Sequence, residues 1–158
     1  MDDSGNIVMP AAVTAIKSNA FRDCYSLLSI TFASDSQCAT IGSQAFRGSG
    51  LVSISIPTSV ANIGASAFYE CLSLTSVSFD SGSQCAYIND NAFQYTGLAN
   101  ISIPTSVTVI GRSAFGSLSS LTSVSFDSGS QCASIGDYAF QRTGLVNISI
   151  PTSVTSIG

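Results

Sequence analysis

The dipeptide Ala-Phe recurs along the chain, with its aromatic residue at Phe21, Phe46, Phe68, Phe93, Phe115 and Phe140. The steps are 25, 22, 25, 22 and 25 residues. Two alternating units therefore make a 47-residue double repeat, and Pro10, Pro57, Pro104 and Pro151 keep the same period, as do Cys38, Cys85 and Cys132. Residues 51–97 and 98–144 match at 34 of 47 positions, which points to recent duplication or to consensus design. A unit this short cannot bury its own apolar face, so neighbours must stack. The chain is thereby confined to a solenoid.

The shorter unit is clearest from Leu51 to Phe68. Ile54 and Ile56 alternate with Ser53 and Ser55, the period-2 pattern of a strand with one buried face. Pro57 stops that strand because it has no N–H for a ladder. Val60 and Ile63 then point inward on the far side of the coil, Gly64 turns the chain, and Ala67 and Phe68 return to the core. The longer unit, Leu74 to Phe93, puts Phe79 in place of Ile56, Asp80-Ser81-Gly82-Ser83 in place of the proline turn, and Cys85 in place of Val60. Every Phe falls either at the Ala-Phe position or at the strand position of Phe32, Phe79 and Phe126, and all are expected in the core.

These units, Ile-x-Ile-Pro followed by Ser-Val-x-x-Ile-Gly and then Ala-Phe, resemble the BspA-like leucine-rich repeats over residues 6–158. The resemblance implies a β-rich leucine-rich-repeat solenoid. In it a right-handed arc carries a parallel sheet on one face, short second strands and turns on the other, and little helix. It implies an extracellular or cell-surface protein of a family associated with adhesion and with host or matrix-protein binding. Residues 1–158 are expected to form a single repeat domain of about six and a half units. The Asp-Ser-Gly-Ser insertion departs from the commonest short unit and should bulge one edge.

The outward strand residues form two columns: Ser29 and Thr31, Ser53 and Ser55, Ser76 and Ser78, Asn100 and Ser102, Ser123 and Ser125, Asn147 and Ser149. They are read as one continuous face of small hydroxyls and amides, either simply solvated or a shallow binding surface for a protein or glycan. Five tyrosines, Tyr25, Tyr69, Tyr87, Tyr95 and Tyr138, are placed on the edges as contact residues, since aromatics carry much of interface energy.

Composition excludes several function classes. Charged residues are 9% of the chain, net charge is −4, and Lys17, Arg22, Arg47, Arg112 and Arg142 are scattered, which leaves no basic face for nucleic acid. No apolar run approaches the roughly 20 residues that span a bilayer, so no membrane insertion is expected. Histidine is absent, so the commonest general base and metal ligand is missing. No catalytic residue, metal or cofactor is expected. Asp80 and Asp127 are the nearest approach to a carboxylate pair, but they stand on an open edge about 9.6 Å apart by strand spacing. Calcium on the Asp-Ser-Gly-Ser loops would have one carboxylate per loop, and turn formation accounts for those residues.

The five cysteines are an odd number, and Cys38, Cys85 and Cys132 are two strands apart, beyond the roughly 7 Å Cα limit of a disulfide. Cys24 and Cys71 take a position that Ser49, Thr96, Leu118 and Thr143 fill elsewhere. All five are read as small buried hydrophobes. Asn100-Ile-Ser102 and Asn147-Ile-Ser149 match the N-glycosylation sequon but fall on strands, as chance matches in a Ser-rich repeat.

The chain begins inside a strand at Asn6–Pro10 and stops after Ile157-Gly158 without a polar cap. That fits an excised piece of a longer array or a unit stacking head to tail. Three functions remain: a surface binding or adhesion module, a structural or filament-forming repeat with homotypic end-to-end contacts, and an ice- or crystal-binding face. The Ser-rich ladder and curved arc weigh against the last.

Overall fold

The computed structural model describes residues 5–158. The first half of the solenoid carries β1 (Asn6–Met9), β2 (Ala15–Ile16), β3 (Ser29–Phe32), β4 (Thr40–Ile41), β5 (Ser53–Ile56), β6 (Asn62–Ile63) and β7 (Ser76–Phe79). The second half continues with β8 (Tyr87–Ile88), β9 (Asn100–Ile103), β10 (Val109–Ile110), β11 (Ser123–Phe126), β12 (Ser134–Ile135) and β13 (Ser156–Ile157). Every pairing is parallel, and no helix occurs among the described residues. The chain is a β-solenoid of about seven turns.

The two faces differ in continuity. The two-residue strands form one seven-stranded sheet, β2-β4-β6-β8-β10-β12-β13 reading from the N-terminal end. The four-residue strands form a four-stranded sheet, β1-β3-β5-β7, and a separate pair, β9-β11. Within the first of these, β1–β3 and β5–β7 pair over four residues, whereas β3–β5 pairs only at Ser29↔Ser53 and Ile30↔Ile54. Between β7 and β9 no ladder forms.

Proline explains the pattern. At each well-paired step the residue after the strand adds a bond to the unit before: Ala33 N–H to Met9 O, Asp80 N–H to Ile56 O, and Asp127 N–H to Ile103 O, at 3.3, 3.0 and 3.0 Å. At the intervening steps that residue is Pro57, Pro104 or Pro151, which has no N–H to give. The sheet therefore narrows to two paired residues after β3 and opens after β7, so its well-paired steps come as doublets. On the other face the residue after the strand always has a donor. Gly42, Gly64, Asn89, Gly111, Gly136 and Gly158 each bond the isoleucine carbonyl of the preceding unit at 2.7–3.1 Å.

The core lies between the sheets and a third wall, the Ala-Phe corners. Phe46, Phe68, Phe93 and Phe115 are fully buried, and the six corner rings stack along the axis with centroids 5.1–5.5 Å apart and planes within 9°. Such spacing is in the range of favourable offset stacking. The corners are held by a further set of bonds: the N–H groups of Phe21, Phe46 and Phe68 donate to Ala45, Ala67 and Ala92 of the next unit at 2.7–2.8 Å. In each corner the residues two before and two after the Phe adopt left-handed φ, as in Asn19 and Asp23 or Ser66 and Glu70. One reading of the sequence needs correction. Phe21 and Phe140, the outermost corner rings, and Phe32, Phe79 and Phe126 are only partly buried against the core: the last three end their strands, and next to Phe79 and Phe126 the sheet opens.

Candidate functional site

The Ser/Asn face is not continuous. Ser53, Ser55, Ser76, Ser78, Asn100, Ser102, Ser123, Ser125 and Thr31 stand exposed on their strands, and Ser29 is half-buried, its hydroxyl donating to Asn6 Oδ1 at 2.6 Å. Asn147 and Ser149 are exposed but lie in no strand, because Pro151 closes a step at which the ladder does not form. The columns are also partly self-satisfied. Ser78 Oγ donates to Ser55 Oγ at 3.2 Å, which donates to Asp80 Oδ1 at 2.6 Å. Ser125, Ser102 and Asp127 repeat the chain of bonds at 3.2 and 2.7 Å. Two shallow grooves of about 470 and 450 Å³ open beside the longer loops, floored by Pro104-Thr105 and Pro151-Thr152.

The five tyrosines do not share an edge. Tyr87 lies on β8 in the outward column of the other sheet, and Tyr138 stacks under Arg112, whose Cζ is 5.5 Å from its ring centroid. Tyr25, Tyr69 and Tyr95 line one groove of about 650 Å³ with Asp23, Glu70, Leu72 and Ser73. The groove is a product of loop length. From the corner Phe to the next Leu the chain takes six residues at Phe21–Leu27 and Phe68–Leu74 but five at Phe46–Leu51 and Phe93–Leu98. Long corners lie on either side of a short one, and the short one carries a glycine. A Cβ on Gly50 would overlap the carbonyl oxygen of Tyr25, so only glycine lets the short corner sit under its neighbour and form the floor. This alternation of six and five is the sequence signal that would have grouped Tyr25 and Tyr69, which lie on successive long corners; Tyr95, on the next short corner, carries no such signal.

The groove's side chains hold one another. The Tyr69 and Tyr95 rings meet edge to face at 5.5 Å. Arg47 Cζ lies 4.9 Å over the Tyr69 ring while its Nη2 reaches Glu70 Oε2 at 3.5 Å. Arg22 Nε pairs with Asp23 Oδ2 at 3.4 Å. Desolvation, then the Glu70 carboxylate, pushes the Tyr69 phenol above its ordinary pKa and keeps it a neutral donor. Tyr25 and Leu72 are 73% and 72% exposed and Tyr95 39%, a large aromatic and aliphatic surface for one corner.

Four of the five cysteines sit where a thiolate is disfavoured. Cys38, Cys71, Cys85 and Cys132 are buried and free, and Cys24, free as well, is only half-buried, contrary to its expected burial. Cys71 Sγ donates to Phe46 O at 2.9 Å and touches Ser49 Oγ at 3.4 Å. Burial pushes all four buried thiols up, Cys85 to about 12, so the nucleophilic thiolate is disfavoured. Among the described residues no group of three or more Cys, Asp or Glu is placed to hold a metal ion, and no helix is long and apolar enough to cross a membrane.

Comparison with known proteins gives one family. The model of the BspA type leucine rich repeat region matches six copies, over residues 3–115 and 86–158. No curated protein matches. Among solved structures, a leucine-rich repeat protein from Bacteroides ovatus is 27% identical with a TM-score of 0.75, over 97% of this chain and 45% of that one. A leucine rich cell surface protein from Faecalibacterium prausnitzii is 26% identical with a TM-score of 0.53, over 96% and 49%. The pneumococcal vaccine antigen PcpA shares the fold at 22% identity and a TM-score of 0.69, over 95% and 51%. The chain thus spans about half the length of each.

Proposed function

The chain belongs to the BspA-type leucine-rich repeat family, and from that premise we propose that it is a non-enzymatic binding module, displayed outside the cell, whose tyrosine groove contacts a protein or glycan. One observation carries the reading. Residues 51–97 and 98–144 differ at thirteen positions, and Tyr69, Glu70, Leu72 and Tyr95 of the groove are four of them. Their counterparts are Gly116, Ser117, Ser119 and Arg142. The core is copied between the repeats while this corner is rewritten, as suits a scaffold with a specific contact built on it. Surface display is supported by the cell-surface and vaccine-antigen descriptions of similar structures. The Ser/Asn columns serve as a flanking face.

The test is biolayer interferometry of the immobilised chain against purified extracellular matrix proteins and polysaccharides. The triple variant Tyr25→Ala, Tyr69→Ala, Tyr95→Ala should lose the response. The double variant Tyr87→Ala, Tyr138→Ala should keep it. A response that survives the triple variant moves the contact away from the groove.

A further inference from the structure

We propose that the groove of Tyr25, Tyr69 and Tyr95 takes a neutral glycan chain, an inference that rests on that groove being the binding site. The charge arrangement points there first. Both carboxylates of the groove already have guanidinium partners, Asp23 with Arg22 and Glu70 with Arg47, at 3.4 and 3.5 Å. One face of the Tyr69 ring is already covered by the Arg47 guanidinium at 4.9 Å. A cationic ligand would have to displace Arg47 and an anionic one would meet Asp23 and Glu70. The groove therefore offers no net charge to select an ion.

Size and surface chemistry point the same way. Ten residues line the groove, against roughly 20–30 on each side of a stable protein interface. Its volume of about 650 Å³ lies within the roughly 300–1,000 Å³ of small-ligand sites. The exposed rings of Tyr25 and Tyr95 and the side chain of Leu72 present apolar surface. Phenol hydroxyls, the Ser73 hydroxyl and the free lone pairs of Asp23 and Glu70 surround it. A pyranose has that same division, with C–H groups on its faces and hydroxyls around its rim. One of the groove's rings is preset: Tyr69 is held between Arg47 and the edge-to-face contact with Tyr95, so that side chain loses little entropy on binding. The groove is open to solvent and not enclosed, which suits a polymer lying along it better than a free monosaccharide.

Affinity electrophoresis tests this, with soluble mixed-linkage β-glucan, xyloglucan, galactomannan, dextran and arabinogalactan each cast in the gel and heparin and polylysine as charged comparators. At least one neutral glycan should retard the chain. Tyr25→Ala or Tyr95→Ala should weaken that binding at least about tenfold. Binding should be unchanged from about 0.1 M to about 1 M salt, a range over which the screening length falls from roughly 10 to 3 Å. Retardation by heparin or polylysine alone, or by none of the polysaccharides, overturns the glycan assignment. The proposed site fails separately: glycan binding that survives the triple tyrosine variant leaves the ligand class standing and removes the groove. A matrix-protein response lost in that variant, with no glycan bound, does the reverse.

Discussion

Residues 51–97 and 98–144 carry one 47-residue motif twice, and the two copies part company away from the core. Of their thirteen differences, only Cys71 against Leu118 exchanges one buried side chain for another. Ile54, Ile56, Val60, Ile63, Ala67 and Phe68 return unchanged as Ile101, Ile103, Val107, Ile110, Ala114 and Phe115. The run Tyr69-Glu70-Cys71-Leu72 becomes Gly116-Ser117-Leu118-Ser119. In a solenoid each unit touches only its neighbours, so stability is a sum of repeated local terms and recognition sits in residues that the stack does not need.

The strongest test of that separation lies in the core. Phe68 and Phe115 occupy the same corner of the two copies, both fully buried and both stacked between two other rings. Truncation to Ala should cost about 3–5 kcal/mol at either position, lost transfer energy plus a cavity. Urea denaturation of Phe68→Ala and Phe115→Ala should give losses equal to within about 1 kcal/mol. A much smaller loss in one copy would mean that the copies share a sequence but not a core.

A second contrast uses pH. Cys85 and Cys132 are equivalent, and Val60 and Val107 fill the same position in the other units. The folded pKa of Cys85 is raised from 9.0 to about 12. An acid whose pKa is raised by folding adds stability below the unfolded value and loses it as pH rises toward the folded value. Stability should therefore fall above about pH 9, by about 2 kcal/mol from Cys85 at pH 10.5. Cys132 adds to the loss in the same direction. Cys85→Val should remove its share, and denaturation at pH 8 and at pH 10.5 reads the difference. An unchanged slope in Cys85→Val would place the alkaline sensitivity on other groups.

The sequence alone carried most of the scaffold. Two periods, 2 along the strands and 47 along the chain, were enough to place Ile54, Val77 and Phe93 inside and Ser55 and Ser78 outside, because side-chain direction in a strand is fixed by parity. It carried less of the site. Parity is silent on whether two adjacent strands pair, and so it predicts continuous columns where Pro104 and Pro151 interrupt them. A missing donor at the strand's end is a local fact, but its effect depends on the neighbour it would have reached. The tyrosines were dispersed for a similar reason. Tyr25 and Tyr69 are 44 residues apart in the chain, on successive long corners either side of a short one, and Tyr95 joins their groove from the next short corner. Tyr87 and Tyr138 share the residue type and none of that geometry.

The smallest stability effect is expected where the sequence differs most. The exchange Tyr69→Gly, Glu70→Ser, Cys71→Leu, Leu72→Ser writes the second copy's corner into the first. Glu70 and Ser117 both sit at φ 59°, so the left-handed backbone is as well or as badly served afterwards. The Arg47–Glu70 pair is exposed and 3.5 Å long, a contact of at most about 1 kcal/mol. Leu118 is fully buried between the corners of Thr96 and Thr143, and Cys71 between those of Ser49 and Thr96. Leucine thus meets a neighbour smaller by one methyl group and has room. The hydrogen bonds of Cys71 to Phe46 and Ser49 are lost, but the donor leaves with them, and Ser49 Oγ is left to find another partner. The net change should stay within about 1 kcal/mol while the ligand response disappears. Thermal unfolding and interferometry on one preparation separate the two. A variant that unfolds several degrees lower would make the tyrosine corner part of the scaffold and end the division between stack and site. A variant of unchanged stability that still binds would leave the division intact and send the contact to the Ser/Asn face.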